Sequence, residues 1–183
     1  LTKNRQIIAI EEQSHGRTAD IDRDESFENT ASDIVALLKF LKIPQVDIMG
    51  FSNGATTSLV MAIQHPTMVR KIIPASGMFA RSGIALKGFW KGFDHATLDA
   101  MPAQLKADFL RVNPDPAALQ KMFERDVYRM AHFKDIPVAQ IKKITAPTLV
   151  LTGANDVATI EHSQKLASLV QHGQYVVFQG GHG

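Results

Sequence analysis

Short apolar runs alternate with segments of helical periodicity along the first part of the chain. Residues 6–10, 46–49 and 71–75 are rich in isoleucine and valine and have the length of buried strands. Between them, apolar residues recur at helical spacing in residues 29–41, where Asn29 is the candidate cap, and in residues 55–64. This alternation predicts a parallel sheet that is covered by helices on its faces.

The alternation stops between residues 78 and 143, where the pattern indicates helices and loops. Residues 103–110 form one predicted helix, and Asp115-Pro116 reads as a cap followed by proline at the first helical position of another, which ends near residue 132. Residues 136–144 are a third candidate. We interpret the stretch as a helical insertion, residues 78–143, in a core made of residues 1–77 and 144–183.

The strand pattern resumes in the last part of the chain. Residues 147–152 are an apolar run, residues 160–171 have helical periodicity, and residues 175–178 form a last short apolar run. Thr159 is the candidate cap of this helix, and Gly173 is its candidate stop. The end of the chain therefore adds two predicted strands and one helix to the core.

Composition fits one globular domain and excludes several classes of function. The chain has 183 residues, of which 45% are hydrophobic and 21% charged, with a net charge of +2. The charges are interspersed, so we expect no nucleic-acid partner, and the sequence has no apolar run that predicts a membrane span. Cysteine is absent, which excludes disulfides and thiolate chemistry and favours a cytoplasmic compartment. Export and assembly into a homo-oligomer stay open.

Ser52 stands in the pattern G-x-S-x-G, Gly50 to Gly54, between a predicted strand and a predicted helix. A serine at such a turn has a cramped backbone, and the flanking glycines let neighbouring backbone approach. The turn would direct the hydroxyl beyond the carboxyl end of the strand, where a base can reach it. Ser52 is therefore the candidate nucleophile.

Two further residues complete a candidate set for nucleophilic catalysis. A serine hydroxyl needs a base to take its proton, and the base needs an orienting carboxylate. Asp156 follows the predicted strand at 147–152, and His182 follows the one at 175–178, 26 positions later. Because ligands and reacting groups gather at the carboxyl ends of parallel strands, we expect these side chains to meet Ser52.

These motifs and their strand contexts resemble the α/β-hydrolase family, in its branch with a serine nucleophile and a helical cap. The resemblance covers essentially the whole chain and implies an α/β-hydrolase fold, a mostly parallel sheet flanked by helices. It also implies that Ser52 is the nucleophile, Asp156 the acid, His182 the general base and the Asn53 N–H a donor of the oxyanion hole. Residues 13–18 resemble the loop after the family's fourth strand, with Ser14 in place of the usual glycine.

The chain departs from the family pattern at both ends. Residues 6–10 correspond to the family's fourth strand, and nothing before them supplies the third, which lies between the fourth and the fifth. The helix that usually follows the histidine and the second oxyanion-hole donor also have no counterpart. We therefore expect a longer native protein, and in this piece a strand-sized gap beside the strand that leads to Ser52.

The predicted activity is a serine hydrolase that forms an acyl-enzyme from a carboxylic ester, a lactone or a related acyl compound. A small-molecule acyl substrate is the expected partner, and the identity of that substrate stays open. Acyl transfer to another acceptor, carbon–carbon bond hydrolysis and a ligand-binding receptor with a vestigial triad are the alternatives. The candidate substrate contacts are Phe51, Phe79 and Trp90. An aromatic group such as the one around Trp90, which includes Phe79, more often forms the core of a cap than a substrate contact.

No cofactor or metal is expected, because the glycines lack nucleotide-binding spacing and no set of His, Asp and Glu has the spacing of metal ligands. His15 is interpreted as structural or pocket-lining. The remaining histidines are expected on solvated faces; they are His65, His95, His132, His162 and His172.

Overall fold

A parallel sheet forms the centre of the protein. The computed structural model describes residues 3–182 and places four strands in the order β1–β2–β3–β4, each parallel to its neighbour. Their carboxyl ends therefore share one edge of the sheet, which is the edge that carries the candidate residues. The strands are β1 (Val46–Phe51), β2 (Val69–Ala75), β3 (Thr148–Asn155) and β4 (Gly173–Gly181).

Helices α2 (Asn53–Gln64) and α7 (Ile160–Leu169) pack on the sheet, and α1 (Phe27–Phe40) packs against α2. Thr159 caps α7 as predicted, because its hydroxyl accepts the His162 N–H at 3.0 Å. The predicted cap of α1 is wrong: Ser26 has the extended backbone of a cap, and its Oγ accepts the Asn29 N–H at 3.0 Å. The helix therefore begins earlier than its apolar periodicity indicates.

The main core lies between the sheet and these helices. It consists of apolar side chains from the strands, the helices and the segments that connect them. The sheet is not covered everywhere, since Met49 of β1 is 64% exposed and Phe178 of β4 is 56% exposed. Its most deeply buried members include Leu59, Met61, Ile72, Val150 and Leu166.

The chain between β2 and β3 consists of helices and turns, as the pattern predicts. The boundaries of a separate cap domain stay a prediction. Asp115 caps α5, since its Oδ1 accepts the Ala117 N–H at 2.9 Å. The predicted helix at 136–144 is only one turn long, because the extended backbone of Pro137 delays its start. No helix within residues 3–182 is both long and apolar enough to cross a bilayer. The helices here are α3 (Phe89–Gly92), α4 (Ala103–Val112), α5 (Pro116–Ala131) and α6 (Val138–Ile141).

Residues 6–10 are not a strand, which corrects the prediction for the first apolar run. Within the described residues they pair with no strand, and Ile7 is 54% exposed. A groove of about 1520 Å³ is lined by this segment and by β1. A buried strand needs a neighbour for its N–H and C=O groups, and no described strand lies on this side of β1. Whether a further strand of a longer protein fills the groove stays a prediction.

The last helix and strand differ from their predicted bounds. Helix α7 ends at Leu169 because Val170 is already extended, with ψ of 138°. Gly173 opens β4 and does not terminate the helix directly. A Cβ at Gly173 would lie 1.9 Å from the carbonyl oxygen of Ala167, so only glycine lets the strand pass this close to the helix.

Candidate active site

Ser52 lies on the sharp turn between β1 and α2. Its backbone has φ of 54° and ψ of −118°, a conformation that side-chain-bearing residues rarely adopt. The Ser52 N–H still donates to the Ala75 carbonyl at 2.9 Å, so the turn starts directly from the sheet. This is the strained strand-to-helix geometry that the motif predicts.

The two glycines of the motif have different roles. A Cβ at Gly50 would lie 2.0 Å from the carbonyl oxygen of Gly54, so Gly50 lets the start of α2 fold back over the end of β1. A Cβ at Gly54 would meet no atom within 4 Å among the described residues. The expectation that both glycines prevent a clash is thus correct for Gly50 and wrong for Gly54 in this part of the chain.

A chain of hydrogen bonds joins the three predicted catalytic side chains. His182 Nε2 lies 3.0 Å from Ser52 Oγ, and His182 Nδ1 lies 2.7 Å from Asp156 Oδ1. The residues come from the carboxyl ends of β1, β3 and β4, which the parallel sheet brings to one edge. The imidazole can therefore accept a proton from the serine on one nitrogen while the carboxylate orients it through the other.

Asp156 is buried and well supplied with donors. Its side chain is fully buried, and burial alone raises the pKa of a carboxyl. Hydrogen bonds from Ser76, the Gly153 N–H and His182 outweigh burial and lower the pKa of Asp156 below its usual value. Asp156 is therefore held as a carboxylate beside the imidazole.

The N-terminus of α2 faces the same edge of the sheet. Asn53 is the first residue of this helix, and the N–H groups of a first helical turn have no partner within the helix. Their aligned dipoles favour negative charge at this end. The Asn53 N–H, next in sequence to Ser52, thus belongs to a turn that can accept an oxyanion.

Phe51 is near the triad, whereas Phe79 and Trp90 make other contacts. The Phe51 ring is half exposed, and its centroid lies 4.8 Å from that of His182. Phe79 is 2% exposed and stacks on the His162 ring at 4.3 Å. The Trp90 Nε1–H donates to the Arg81 carbonyl at 2.9 Å, and Arg81 lies over its indole ring. Substrate contact by Phe79 or Trp90 stays a prediction, and the burial of Phe79 counts against it.

His162 is buried, which corrects the expectation of a solvated face. Its Nε2 accepts the Phe79 N–H at 3.1 Å. Burial, assisted by the positive charge of Lys165, lowers the pKa of His162 to about 4, so the ring is neutral at physiological pH. The sequence did contain a signal: His162 precedes the buried Leu166 by one helical turn and so shares its face.

A buried ionic cluster between α5 of the predicted insertion and the first part of the chain was missed by the sequence analysis. Arg129 of α5 is 4% exposed and pairs with Glu12 at 2.6 Å, with Glu25 at 2.9 Å and with Asp126. More than 100 positions separate Arg129 from Glu12 and Glu25, so no local pattern could indicate the pairing. The cluster ties α5 to the loop that precedes α1.

Glu12, His15 and Glu25 have ligand atoms within 4.8 Å of one another, which is close enough to suggest a cation site. The contacts argue otherwise. The Arg129 guanidinium already binds both glutamates, and His15 Nδ1 lies 2.8 Å from the Gln13 carbonyl, so that nitrogen carries a proton. These residues therefore fit an ionic cluster better than a metal.

The contacts of His15 fit a structural role, which is one of its two interpretations from sequence. Its Nε2 lies 3.3 Å from Asp126 Oδ2. Although burial disfavours the charged ring, the hydrogen bond to Asp126 and the nearby negative charges raise the pKa of His15 to about 9. The preceding Ser14 has φ of 61°, a left-handed conformation that glycine adopts without strain.

A family model described as serine hydrolase (FSH1) matches residues 7–183. The chain belongs to this family. The Serine hydrolase BPHL of Mus musculus is 35% identical over 70 residues, a segment that spans 37% of this chain but only 24% of the mouse protein. The 3-oxoadipate enol-lactonase 2 of Acinetobacter baylyi is 23% identical over 96% of this chain and 71% of its own length.

Solved structures show the same fold. The enol-lactonase from Burkholderia xenovorans superimposes with a TM-score of 0.68 at 20% identity, covering 93% of this chain and 71% of that chain. At this identity the likeness concerns the fold alone. It agrees with the parallel sheet and flanking helices described above, so the chain has the α/β-hydrolase fold that the motifs predict.

Proposed function

We propose that the protein hydrolyses carboxylic esters or lactones through an acyl-enzyme on Ser52, with His182 as general base and Asp156 as its orienting acid. The observation that carries the proposal is the unbroken hydrogen-bond chain from the Ser52 hydroxyl through the His182 ring to the Asp156 carboxylate. Membership of a serine hydrolase family supports it independently.

The first half of the reaction forms the acyl-enzyme. His182 Nε2 takes the Ser52 proton as Oγ attacks the substrate carbonyl carbon, and the carbonyl oxygen becomes an oxyanion. The Asn53 N–H and the dipole of α2 stabilise that charge. As the tetrahedral intermediate collapses, the ester C–O bond breaks, and the leaving alkoxide takes the proton from His182.

The second half regenerates the enzyme. His182 takes a proton from water, the resulting hydroxide attacks the acyl carbon, and the serine oxygen leaves with the proton that His182 returns. A lactone differs in one respect, because its alcohol stays attached to the acyl group through the intermediate. Two relatives named as enol-lactonases support including lactones in the substrate class.

A fluorophosphonate probe tests the proposal at the serine. The natural full-length protein should be labelled, and Ser52→Ala should abolish labelling and lower kcat on an ester or lactone panel by a factor on the order of 10⁴ or more. Ser168→Ala is the matched control, since its exposed hydroxyl donates only to the Lys165 carbonyl. Absence of labelling in the natural protein would refute the proposal.

A further inference from the structure

Ser76 contacts the acid of the proposed triad from a different strand. It directly follows β2, and its Oγ donates to Asp156 Oδ2 across 2.5 Å, although 80 positions separate the two residues. The reaction described above makes no use of this hydroxyl. The Gly153 N–H, at 3.1 Å, is the other donor to the same carboxylate oxygen.

The backbone of Ser76 has a conformation that glycine would adopt more easily than serine. Its φ of 53° lies in the left-handed region, where a serine is strained and a glycine is not. The Ser76 N–H also donates to the Leu151 carbonyl at 2.8 Å, so the conformation is fixed by the sheet. A residue held in a strained conformation beside a reactive group is a candidate for a functional role.

The partners of the Asp156 carboxylate divide between its two oxygens. Oδ1 faces His182 and the Val157 N–H, whereas Oδ2 faces Ser76 and the Gly153 N–H. Ser76 is thus the side-chain donor on the oxygen that His182 does not use. Asp156 and His182 are the titratable side chains among these partners. His182 also contacts Ser52 and the Phe51 ring.

We propose that Ser76 is a positioning residue that donates to the Asp156 carboxylate, disperses its charge and so sets the pH above which His182 is free to act as a base. The inference rests on the proposed function. Without the hydroxyl donor, the negative charge of the carboxylate is less dispersed. It then stabilises the protonated imidazole more strongly, so the ring holds its proton more tightly. The two backbone N–H donors keep the carboxylate in place, so the effect is mainly electrostatic.

Removing the hydroxyl should therefore shift activity along the pH axis. We compare kcat/KM at pH 6 with kcat/KM at pH 9 in the natural full-length protein. Ser76→Ala should lower the value at pH 6 relative to that at pH 9 by about three- to tenfold, which is the effect of losing part of a hydrogen bond to a charged group. KM should change little, because the Ser76 hydroxyl is already bound to the Asp156 carboxylate. The acid limb of the pH–rate profile should move to higher pH.

Two further variants distinguish the effect of losing the hydroxyl from the effect of the strained backbone, and test whether Ser76 acts through Asp156. Ser76→Gly also lacks the hydroxyl but relieves the positive φ, so it should give the same pH shift without loss of thermal stability. In an Asp156→Asn background, Ser76→Ala should change the remaining activity by less than about twofold, because a residue acting through Asp156 has lost its target. Ser168→Ala, at an exposed serine, should leave the profile unchanged.

An NMR titration of the His182 ring gives a readout that does not depend on turnover. The midpoint should move to higher pH in Ser76→Ala and Ser76→Gly. An unchanged or lowered midpoint in both variants overturns the inference about Ser76, even if Ser52 is labelled normally. Absence of labelling at Ser52 together with a raised midpoint would refute the proposed function and leave the coupling between Ser76 and His182 established.

Discussion

Arg129 and Glu25 form an ion pair that is almost sealed from solvent, with side chains 3% and 1% exposed and a nitrogen–oxygen distance of 2.9 Å. Burial raises the pKa of Glu25 to about 7 against the opposing charge of Arg129. Such a pair makes a modest net contribution to stability, because desolvation offsets much of the attraction. Losing Arg129 is far more harmful, since Glu25 would then be buried without its cation or would have to take up a proton.

Arg129→Met should destabilise the protein by about 3–5 kcal/mol, because Glu12, Glu25 and Asp126 would lose their shared cation. Urea unfolding of the natural protein at neutral pH measures this. Arg111→Met is the matched control: its pair with Asp108 is exposed, and we expect a change below about 0.5 kcal/mol.

Removing both charges tests the cause. Arg129→Met combined with Glu25→Leu should recover part of the loss, since no uncompensated carboxylate would then remain at the most buried position. Equal destabilisation by Arg129→Met and Arg111→Met would contradict the importance of the cluster.

His15 should contribute stability that depends on pH. Its pKa in the folded protein is about 9, above the ordinary 6.5, so the folded state binds the proton more tightly than the unfolded state. This contribution is complete below pH 6.5 and is lost as pH rises through 9. The difference in unfolding free energy between wild type and His15→Gln should shrink across that window.

Chemical denaturation at several pH values provides the test, with His95→Gln as the control because His95 is exposed. A stability difference for His15→Gln that stays constant from pH 6 to pH 10 would show that His15 stabilises through packing alone.

Local sequence signals were sufficient to predict that three side chains meet at one edge of the sheet. Ser52, Asp156 and His182 each follow an apolar strand, and parallel strands bring their carboxyl ends together, so three local patterns predict one site. Ser76 follows a predicted strand in the same way, but a serine after a strand is too common to single out. Its significance depends on the direction of its side chain toward Asp156.

The features that the sequence did not predict depend on partners far along the chain. Residues 6–10 have the composition of a strand, yet a strand also needs a neighbour, and composition does not say whether one is present. The pairing of Arg129 with Glu25 spans 104 positions and leaves no periodic trace. His162 was missed for another reason. A solvated position was predicted from its polar side chain, although its spacing places it on the buried face of α7.

Gly50→Ala should prevent normal folding of the turn at Ser52. The added Cβ would lie 2.0 Å from a backbone oxygen of α2, and backbone cannot move away as a flexible side chain can. We expect a loss of at least about 3 kcal/mol in unfolding free energy and loss of fluorophosphonate labelling. Gly92→Ala is the control: its built Cβ meets no described atom within 4 Å, and its backbone is helical.

The control Gly92→Ala also has a predicted effect on stability. Because alanine suits a helical backbone better than glycine, Gly92→Ala should be neutral or stabilising by up to about 1 kcal/mol. Normal stability and labelling of Gly50→Ala would mean that the close approach between β1 and α2 is not required.

Phe51 should contribute to binding of the acyl group. Its ring is half exposed and lies 4.8 Å, between centroids, from the His182 ring, so its free face is available next to the reacting atoms. Phe51→Ala should raise KM for an apolar acyl ester by about tenfold, the effect of removing part of a buried aromatic contact. Phe40→Ala, at an 81% exposed position, should leave KM unchanged.

A series of esters of increasing acyl length separates two roles of the ring. If Phe51 contacts the acyl chain, the rise in KM should grow with chain length, because longer chains bury more apolar surface against the ring. If the ring only supports His182, kcat should fall by the same factor for every ester and KM should stay constant. The second pattern would remove Phe51 from the set of substrate contacts while leaving the serine mechanism intact.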